Sequence, residues 1–255
     1  MKITNTVKYG ILKRPLKLAK IHDFCVSRKP QLTVVMLHGI ASSAHTYDHA
    51  VKYFKSSPSM KNIRFVTYDW LGAGKSFSAK NLCYDIDEEL MALRNSLEKL
   101  KIKTPLILVG HSMGTMLVAH YASTFPKEAT KLILVSPPIY TEKDLKDPVF
   151  EKGMDAFKSS VAKYNAKIIK GKPFNAQMKN IVKNPTNYKA FSSLKTPTFM
   201  IYGALDPFIS HDNVEKVARS NKIITAIKTD RKHSVSRDKY AKILEILEDT
   251  LNENL

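Results

Sequence analysis

A five-residue stretch, Gly-His-Ser-Met-Gly at residues 110–114, constrains the fold of this chain more than any other feature. An apolar run at residues 106–109 precedes it, typical of a strand buried on both faces, and a helix-like stretch at residues 115–122 follows. A chain that passes directly from strand to helix must bend sharply, and glycines beside the bend remove Cβ atoms that would collide. The bend lifts Ser112 Oγ clear of the sheet and directs the positive end of the helix dipole towards it. The pattern therefore predicts an exposed nucleophilic serine, with an ordinary glycine-rich turn as the alternative.

Strand-like and helix-like runs alternate along most of the chain. The predicted strands are residues 4–12, 19–27, 32–37, 63–68, 106–109, 132–135, 198–202 and 223–227. The predicted helices are residues 44–55, 85–100, 115–122, 211–219 and 236–250. The first two strands are separated by a turn and indicate an antiparallel hairpin at a sheet edge. The alternation predicts an α/β fold, a mostly parallel eight-stranded sheet flanked by helices on both faces.

One segment, residues 139–193, interrupts this alternation. It contains no strand-like run, only helical stretches such as residues 149–169 and 176–183, with many lysines. Because it leaves from the carboxyl end of a strand, we expect a small helical cap over a site at that edge of the sheet. A peripheral insertion that never contacts ligand is the alternative. The core is then residues 1–138 and 194–255.

The composition limits the compartment and the class of protein. Hydrophobic residues make up 44% of the 255-residue chain, which is enough for a sizeable core without disulfides. The two cysteines, Cys25 and Cys83, form no Cys-x-x-Cys pair and suggest reduced thiols. No stretch reaches the length of a transmembrane helix, and the first residues lack the apolar run of a signal peptide. The sequence predicts a cytoplasmic protein.

The formal net charge of +18 would suit nucleic acid, an anionic membrane surface or anionic substrates. The lysines are spread along the whole chain, however, and no basic block is interleaved with aromatic residues. We therefore interpret the charge as a solvated lysine-rich surface and predict no specific nucleic-acid partner. The sequence gives no indication of the oligomeric state.

A serine hydroxyl becomes a nucleophile when a base lies within hydrogen-bond reach and a carboxylate orients that base. Active sites of parallel sheets form beyond the carboxyl ends of the strands. Asp206 lies four residues after the strand at 198–202, and His233 lies in the loop after the strand at 223–227. These positions predict a Ser112–His233–Asp206 triad. Asp230 is an alternative acid, although it lies only three residues from His233.

Other candidate groups have simpler interpretations. His45 and His49 are four residues apart on a predicted helix, but no third metal ligand follows, so we predict no metal. His111, within the bend, is interpreted as structural. The Gly-Lys-Ser at residues 74–76 matches the end of a phosphate-binding loop, but Asp69 stands where that motif requires its first glycine, which argues against nucleotide binding.

The order serine, acid, histidine and the Gly-x-Ser-x-Gly stretch resemble those of the α/β-hydrolases over nearly the whole chain. The resemblance implies that Ser112 is the nucleophile, Asp206 the acid and His233 the base. The family's His-Gly after its third strand matches residues 38–39, which implies an oxyanion hole built from the main-chain N–H groups of Ile40 and Met113.

Two further features bear on the resemblance. The family's Asp-x-x-Gly-x-Gly-x-Ser is matched at residues 69–76 and implies a structural loop, and the insertion at residues 139–193 matches the helical cap of many members. The family's histidine usually follows small residues, whereas Asp-Arg-Lys at residues 230–232 precedes His233 here.

The expected reaction is hydrolysis of a small-molecule carboxylic ester with a small or medium acyl group, through an acyl-enzyme and without a metal or organic cofactor. Within the same fold, hydrolysis of a carbon–carbon bond, a lactone or a thioester is an alternative, because fold alone does not select the substrate. A catalytically silent binding protein of this fold is the alternative from another class.

Overall fold

Seven strands form a single sheet in the computed structural model of the chain, which describes residues 15–235 and 237–253. The spatial order is β1-β3-β2-β4-β5-β6-β7. The strands are β1 Ala19–Phe24, β2 Leu32–Leu37, β3 Ile63–Asp69, β4 Leu106–His111, β5 Lys131–Val135, β6 Thr198–Gly203 and β7 Ile224–Thr229. Strand β1 runs antiparallel to β3, and every other neighbouring pair is parallel.

This architecture confirms the predicted α/β fold. The predicted edge strand at 19–27 is shorter than expected and corresponds to β1, which pairs with β3 through a bulge between Lys20 and His22. The predicted strand at 4–12, the eighth, lies outside the described residues. Three of the inner strands, β2, β4 and β5, are buried almost throughout, as their continuous apolar runs predict.

Helices cover both faces of the sheet. They are α1 Asp48–Ser56, α2 Ile86–Leu100, α3 Met113–Thr124, α4 Glu142–Leu145, α5 Pro148–Lys170, α6 Lys172–Gln177, α7 Asn187–Ser192, α8 His211–Ser220 and α9 Arg237–Glu253. Helices α1 and α9 pack on one face, where Phe54 and Leu247 contribute to the apolar layer, and α2, α3 and α8 pack on the other. No helix in the described part of the chain has the length and apolar character needed to span a bilayer.

Local signals place the helix ends. Asp85 caps α2 by accepting a hydrogen bond from the Glu88 N–H at 2.9 Å, and acidic residues fill its first turn. The helix ends where Lys101 takes a left-handed conformation with φ 49°. The long helix α5 begins with Asp147 as its cap and a proline in its first turn, and it ends before Gly171.

Between β5 and β6 the described chain forms helices joined by short loops and contains no strand, and we call residues 139–193 the cap segment. The single helix predicted at 176–183 is wrong in detail, since α6 ends at Gln177 and a π-helix, Met178–Val182, follows. The short helices α4 and α7 were not predicted, because four to six residues carry too little periodicity to be recognised. Phe174, Met178 and Phe191 join the same apolar cluster as α2 and α3.

Candidate active site

Ser112 lies at the junction between β4 and α3, in a strained backbone conformation with φ 52° and ψ −122°. The two flanking glycines are required by close backbone contacts. A Cβ on Gly110 would lie 2.6 Å from the Gly114 carbonyl oxygen, and a Cβ on Gly114 would lie 2.5 Å from the Leu37 carbonyl oxygen. The junction therefore presses against the end of β2, and this packing holds the serine in its strained conformation.

The structure brings Ser112, His233 and Asp206 together at the carboxyl ends of β4, β7 and β6. His233 Nδ1 lies 2.9 Å from both carboxylate oxygens of Asp206, and His233 Nε2 lies 2.8 Å from Ser112 Oγ. Because an ionised carboxylate only accepts hydrogen bonds, the proton of the neutral imidazole belongs on Nδ1. Nε2 then accepts the hydrogen bond from the Ser112 hydroxyl. This arrangement allows His233 to remove the serine proton.

The Asp206 side chain is fully buried, yet it stays ionised. Burial raises the pKa of Asp206, but the hydrogen bond and charge of His233, the Phe208 N–H and the positive charge of Lys239 lower it more, so the net shift is downward. The Phe208 N–H donates to Asp206 Oδ1 at 3.0 Å. The alternative acid, Asp230, is exposed, and both close contacts of His233 Nδ1 with carboxylate oxygens are to Asp206.

The two residues expected to supply the oxyanion hole lie beside the serine. Ile40 and Met113 line the same small cavity as Ser112. Met113 is the first residue of α3, so its N–H is one of the donors that a helix leaves unpaired at its start. The positive end of the α3 dipole adds to the attraction for a negative oxygen at this position.

The cavity above Ser112 is apolar and small. Its walls combine residues of the sheet edge with the cap-segment residues Tyr140, Met154, Phe157, Met178 and Val182. Apart from His233, the described lining residues include no charged side chain. The cavity holds about 30 Å³, against roughly 300–1,000 Å³ for typical ligand sites. A ligand of ordinary size therefore enters only if cap side chains move, and flexible methionines permit such movement.

Three side chains that sequence reasoning did not connect to the site hold the loop that carries His233. The carbonyl oxygen of His233 accepts hydrogen bonds from His111 Nε2 at 2.9 Å and from Ser136 Oγ at 3.0 Å. Lys239 Nζ donates to Ser136 Oγ at 2.7 Å and to the Lys232 carbonyl oxygen at 2.6 Å. His111 was expected to be structural, and its contact places that role directly on His233.

These supporting groups are buried, and burial alters their ionisation. Burial, with a smaller contribution from the charge of His233, lowers the pKa of His111 to about 3, so its ring is neutral near pH 7. Burial also lowers the pKa of Lys239, while the negative charge of Asp206 opposes this effect. In the sequence, the only indication of a buried lysine is that position 239 lies one helical turn before the buried Ile243.

The loop at residues 69–76 is built around the carboxylate of Asp69. Asp69 accepts hydrogen bonds from the Ala44 N–H at 2.7 Å and the Lys75 N–H at 2.8 Å. Ser76 Oγ donates to the Asp69 carbonyl oxygen at 2.5 Å and accepts from the Ala19 N–H at 2.7 Å. Where a phosphate-binding loop would hold its anion, this loop holds its own side chain.

His45 and His49 belong to no group of three ligand side chains in the part of the chain that the structure describes. The one such group there is Cys83, Asp85 and Glu88. It forms the start of α2, where Glu88 accepts the Cys83 and Tyr84 N–H groups at 2.8 Å.

The family model described as Serine aminopeptidase, S33 matches residues 28–193 of this chain. The matched stretch includes Ser112, whereas Asp206 and His233 follow it. Among curated proteins, a probable lysophospholipase, BODYGUARD 5 of Arabidopsis thaliana, is 28% identical over 139 residues, which is 54% of this chain and 31% of that protein. The chain thus spans about a third of the length of this relative.

Solved structures share the fold over nearly the whole chain. A carboxylesterase structure from the thaumarchaeon Nitrososphaera gargenis superposes with a TM-score of 0.71 at 16% identity, covering 93% of this chain and 97% of that one. The enol-lactonase of Burkholderia xenovorans superposes with a TM-score of 0.71 at 17% identity, covering 92% and 96%. The superpositions show a common α/β-hydrolase fold, and the low identity leaves the substrate open.

Proposed function

The chain belongs to the α/β-hydrolase family described as Serine aminopeptidase, S33, and from this premise we propose that it hydrolyses carboxylic esters with an apolar acyl group. Ser112 is the nucleophile, His233 the general base and acid, and Asp206 the carboxylate that orients it. The observation that carries the proposal is the continuous hydrogen-bond chain from Ser112 Oγ through His233 to Asp206, at 2.8 and 2.9 Å, beneath an apolar cavity. The esterase and lysophospholipase names among the similar proteins agree with it.

The reaction proceeds in two acyl transfers. As Ser112 Oγ attacks the ester carbonyl carbon, His233 Nε2 takes the hydroxyl proton. The tetrahedral intermediate collapses, the bond to the alcohol oxygen breaks, and His233 gives its proton to that oxygen. A water molecule then attacks the acyl-enzyme while His233 takes its proton. The acid leaves, and the proton returns to Ser112 Oγ.

The main-chain N–H groups of Ile40 and Met113 stabilise the negative oxygen of both tetrahedral intermediates. Two observations support this role. The Met113 N–H belongs to the first turn of α3, and Ile40 lines the cavity beside Ser112. Loss of one such donor typically costs about 10²–10³ in rate.

The lining of the cavity favours an uncharged acyl group over the alternatives. An aminopeptidase must hold a substrate ammonium group, and a hydrolase of dienoic keto acids must hold a substrate carboxylate. The described lining residues offer neither a carboxylate nor a cationic side chain besides His233. Lactones and thioesters carry no such charge, so they remain competitors that differ only in the leaving group.

Ser112→Ala tests the proposal. On a panel of p-nitrophenyl esters of graded chain length, run beside thioesters, lactones and amino-acid anilides, we expect the wild-type chain to prefer esters. The variant should lose about 10⁶-fold in kcat, the scale seen when a catalytic serine is removed. Ser123→Ala is the matched control, since Ser123 lies on α3 and bonds the Ala190 carbonyl oxygen away from the cavity.

A fluorophosphonate probe separates the enzyme from a silent binding protein. We expect it to label wild-type chain and Ser123→Ala, and to leave Ser112→Ala unlabelled. A wild-type chain that neither reacts with the probe nor cleaves any substrate of the panel would contradict the proposal. Cleavage of the anilides above the esters would instead favour a peptidase.

We propose the cytoplasm as the compartment. The support is that neither Cys25 nor Cys83 forms a disulfide, as expected of thiols in a reducing environment. Fractionation of the source cells tests this assignment, and recovery of the protein outside the cytoplasmic fraction would contradict it.

A further inference from the structure

The loop that carries His233 contains no glycine in the residues before the histidine, so its backbone must be fixed by other means. His111 and Ser136 each donate a hydrogen bond to the His233 carbonyl oxygen, at 2.9 and 3.0 Å. One residue earlier, the Lys232 carbonyl oxygen accepts a hydrogen bond from Lys239 Nζ at 2.6 Å. Three side chains thus bind two successive carbonyl groups of the loop.

Lys239 is the least expected of these groups. Its side chain is 0% exposed, although lysine is among the residues least often fully buried. A buried ammonium group persists only where it is paired and hydrogen-bonded. Its two described acceptors are Ser136 Oγ and the Lys232 carbonyl oxygen, so the side chain joins α9 to the end of β5 and to the His233 loop.

Ser136 occupies the centre of this network in a conformation that few residues other than glycine adopt. Its φ is 52°, its side chain is fully buried, and its N–H donates to the Ile201 carbonyl oxygen at 2.8 Å. The strained turn at the end of β5 directs the hydroxyl towards the loop, where it accepts from Lys239 and donates to the His233 carbonyl oxygen.

We propose that Lys239, Ser136 and His111 form a clamp that positions His233 against Ser112. Each member extends from a different fixed element: α9, the end of β5 and the end of β4. Because His233 is the second residue of the clamped pair, its main chain cannot rotate without breaking these bonds. The clamp replaces the small residues that precede the histidine in the family the chain resembles. This inference rests on the proposed role of His233 as base.

Lys239→Met tests the clamp, because methionine approximates the length of the lysine side chain and removes its donors and charge. A displacement of about 1 Å at a catalytic group costs roughly 10²-fold in rate. We therefore expect kcat on the best ester to fall about 10–100-fold, with KM changed less than about twofold, because the acyl cavity is untouched. The rate of fluorophosphonate labelling at Ser112 should fall in parallel.

Lys131→Met is the matched control. Lys131 Nζ also joins a strand to α9, donating to Thr250 Oγ1 at 2.7 Å and to Glu253 at 3.1 Å, but at the far end of the helix from His233. Its loss should lower the thermal midpoint and leave kcat within about twofold. If Lys239→Met and Lys131→Met both lose kcat, each in proportion to the drop in its thermal midpoint, then Lys239 has a structural role only and the clamp is overturned.

Ser136→Ala keeps the test decisive if Lys239→Met fails to fold. It removes the hydroxyl that links Lys239 to the His233 carbonyl oxygen and buries no new charge. We expect Ser136→Ala to lose about 5–20-fold in kcat. Where Lys239→Met does fold, the kcat loss of the double variant Ser136→Ala/Lys239→Met should not exceed the product of the two single losses, since the effects of neighbours in one network are not additive. Ser136→Ala with unchanged kcat would overturn the proposal.

A proton NMR readout separates the clamp from the reaction. The Nδ1 proton of His233, bonded to Asp206, should give a resolved low-field resonance in wild-type chain and in Lys131→Met. It should broaden or vanish in Lys239→Met, because a loose loop lets that proton exchange. If the wild-type chain hydrolyses nothing, the proposed function fails, and this resonance still decides the clamp: an unchanged signal in Lys239→Met would refute it.

Discussion

Different interactions stabilise the sheet edge that carries Ser112 and the cap segment above it. At the edge, buried polar atoms pair with one another, as in the chain from Ser112 through His233 to Asp206 and the bonds of Lys239 behind it. The cap segment faces the same cavity with Tyr140, Met154, Phe157, Met178 and Val182, and mostly apolar atoms of these side chains line it. Directional bonds fix positions closely, whereas thioether and aromatic side chains shift at little cost. Under the proposed function, the edge would therefore determine the reaction, and the cap segment would select the acyl group.

Asp206→Asn should give the largest loss of the variants that keep Ser112, because it breaks the polar chain without changing its shape. An amide at this position favours the wrong imidazole tautomer, and comparable changes in other serine hydrolases cost about 10⁴ in kcat. Asp230→Asn is the matched control and should stay within twofold, since Asp230 is exposed. Steady-state kinetics on one ester measure both. Equal losses would mean that the acid is misassigned.

Acid should weaken the edge and spare the cap segment. The folded pKa of His111 is about 3, against 6.5 for an ordinary histidine, so between these values the unfolded chain binds a proton that the folded chain does not. The free energy of unfolding should therefore fall as pH drops from 6.5 towards 3, by at most about 5 kcal/mol from this group, at roughly 1.4 kcal/mol per pKa unit.

His111→Gln isolates this contribution, since glutamine keeps a donor for the His233 carbonyl oxygen and does not titrate. Urea unfolding at pH 7, 5 and 4 should show a shallower decline for His111→Gln than for wild-type chain. A cap variant such as Phe157→Ala should lower stability by a similar amount at each pH. Parallel declines for wild-type chain and His111→Gln would contradict the assignment of the proton to His111.

Phe157→Ala should give the smallest effect and the most selective one. The Phe157 ring packs edge-on against Phe208 at 5.5 Å between centroids and lines the cavity. Its loss should raise KM for long acyl esters about tenfold, in line with roughly 1–3 kcal/mol for a buried apolar group, and change kcat less than about threefold. Tyr164→Ala, on the same helix and 90% exposed, is the control. If kcat fell by a larger factor than KM rose, Phe157 would instead act in the reaction, together with the residues of the sheet edge.

The proximity of the three site residues could be predicted from the sequence, because parallel strands bring their carboxyl ends to one line. Ser112, Asp206 and His233 each follow a recognisable apolar strand, so chain topology implies their proximity before any coordinate is known. The same rule fails for Lys239. Its position on α9 follows from helical spacing, but the polar pocket that accepts its ammonium group is assembled from β5 and the His233 loop, far away in sequence.

The cap segment was predicted as helical and misread in its details. The π-helix at Met178–Val182 is fixed by tertiary contacts, since Asn187 Nδ2 donates to the Ile181 carbonyl oxygen at 2.7 Å and its Oδ1 bonds His120 of α3 at 2.9 Å. No local pattern in the sequence specifies that arrangement. The small cavity is equally a product of packing, because side chains from three separate stretches of the cap segment meet above Ser112.

The adjacency of β5 and β6 has a consequence for how such a protein diversifies. Leu132 pairs with Thr198 and Val135 with Ile201, so the chain leaves the sheet after one strand and rejoins it in the strand directly beside it. Lengthening an excursion between two such points costs little closure entropy, about 0.6 kcal/mol for each doubling. The intervening helices can be exchanged or rebuilt over generations while strand register and reaction chemistry are inherited intact.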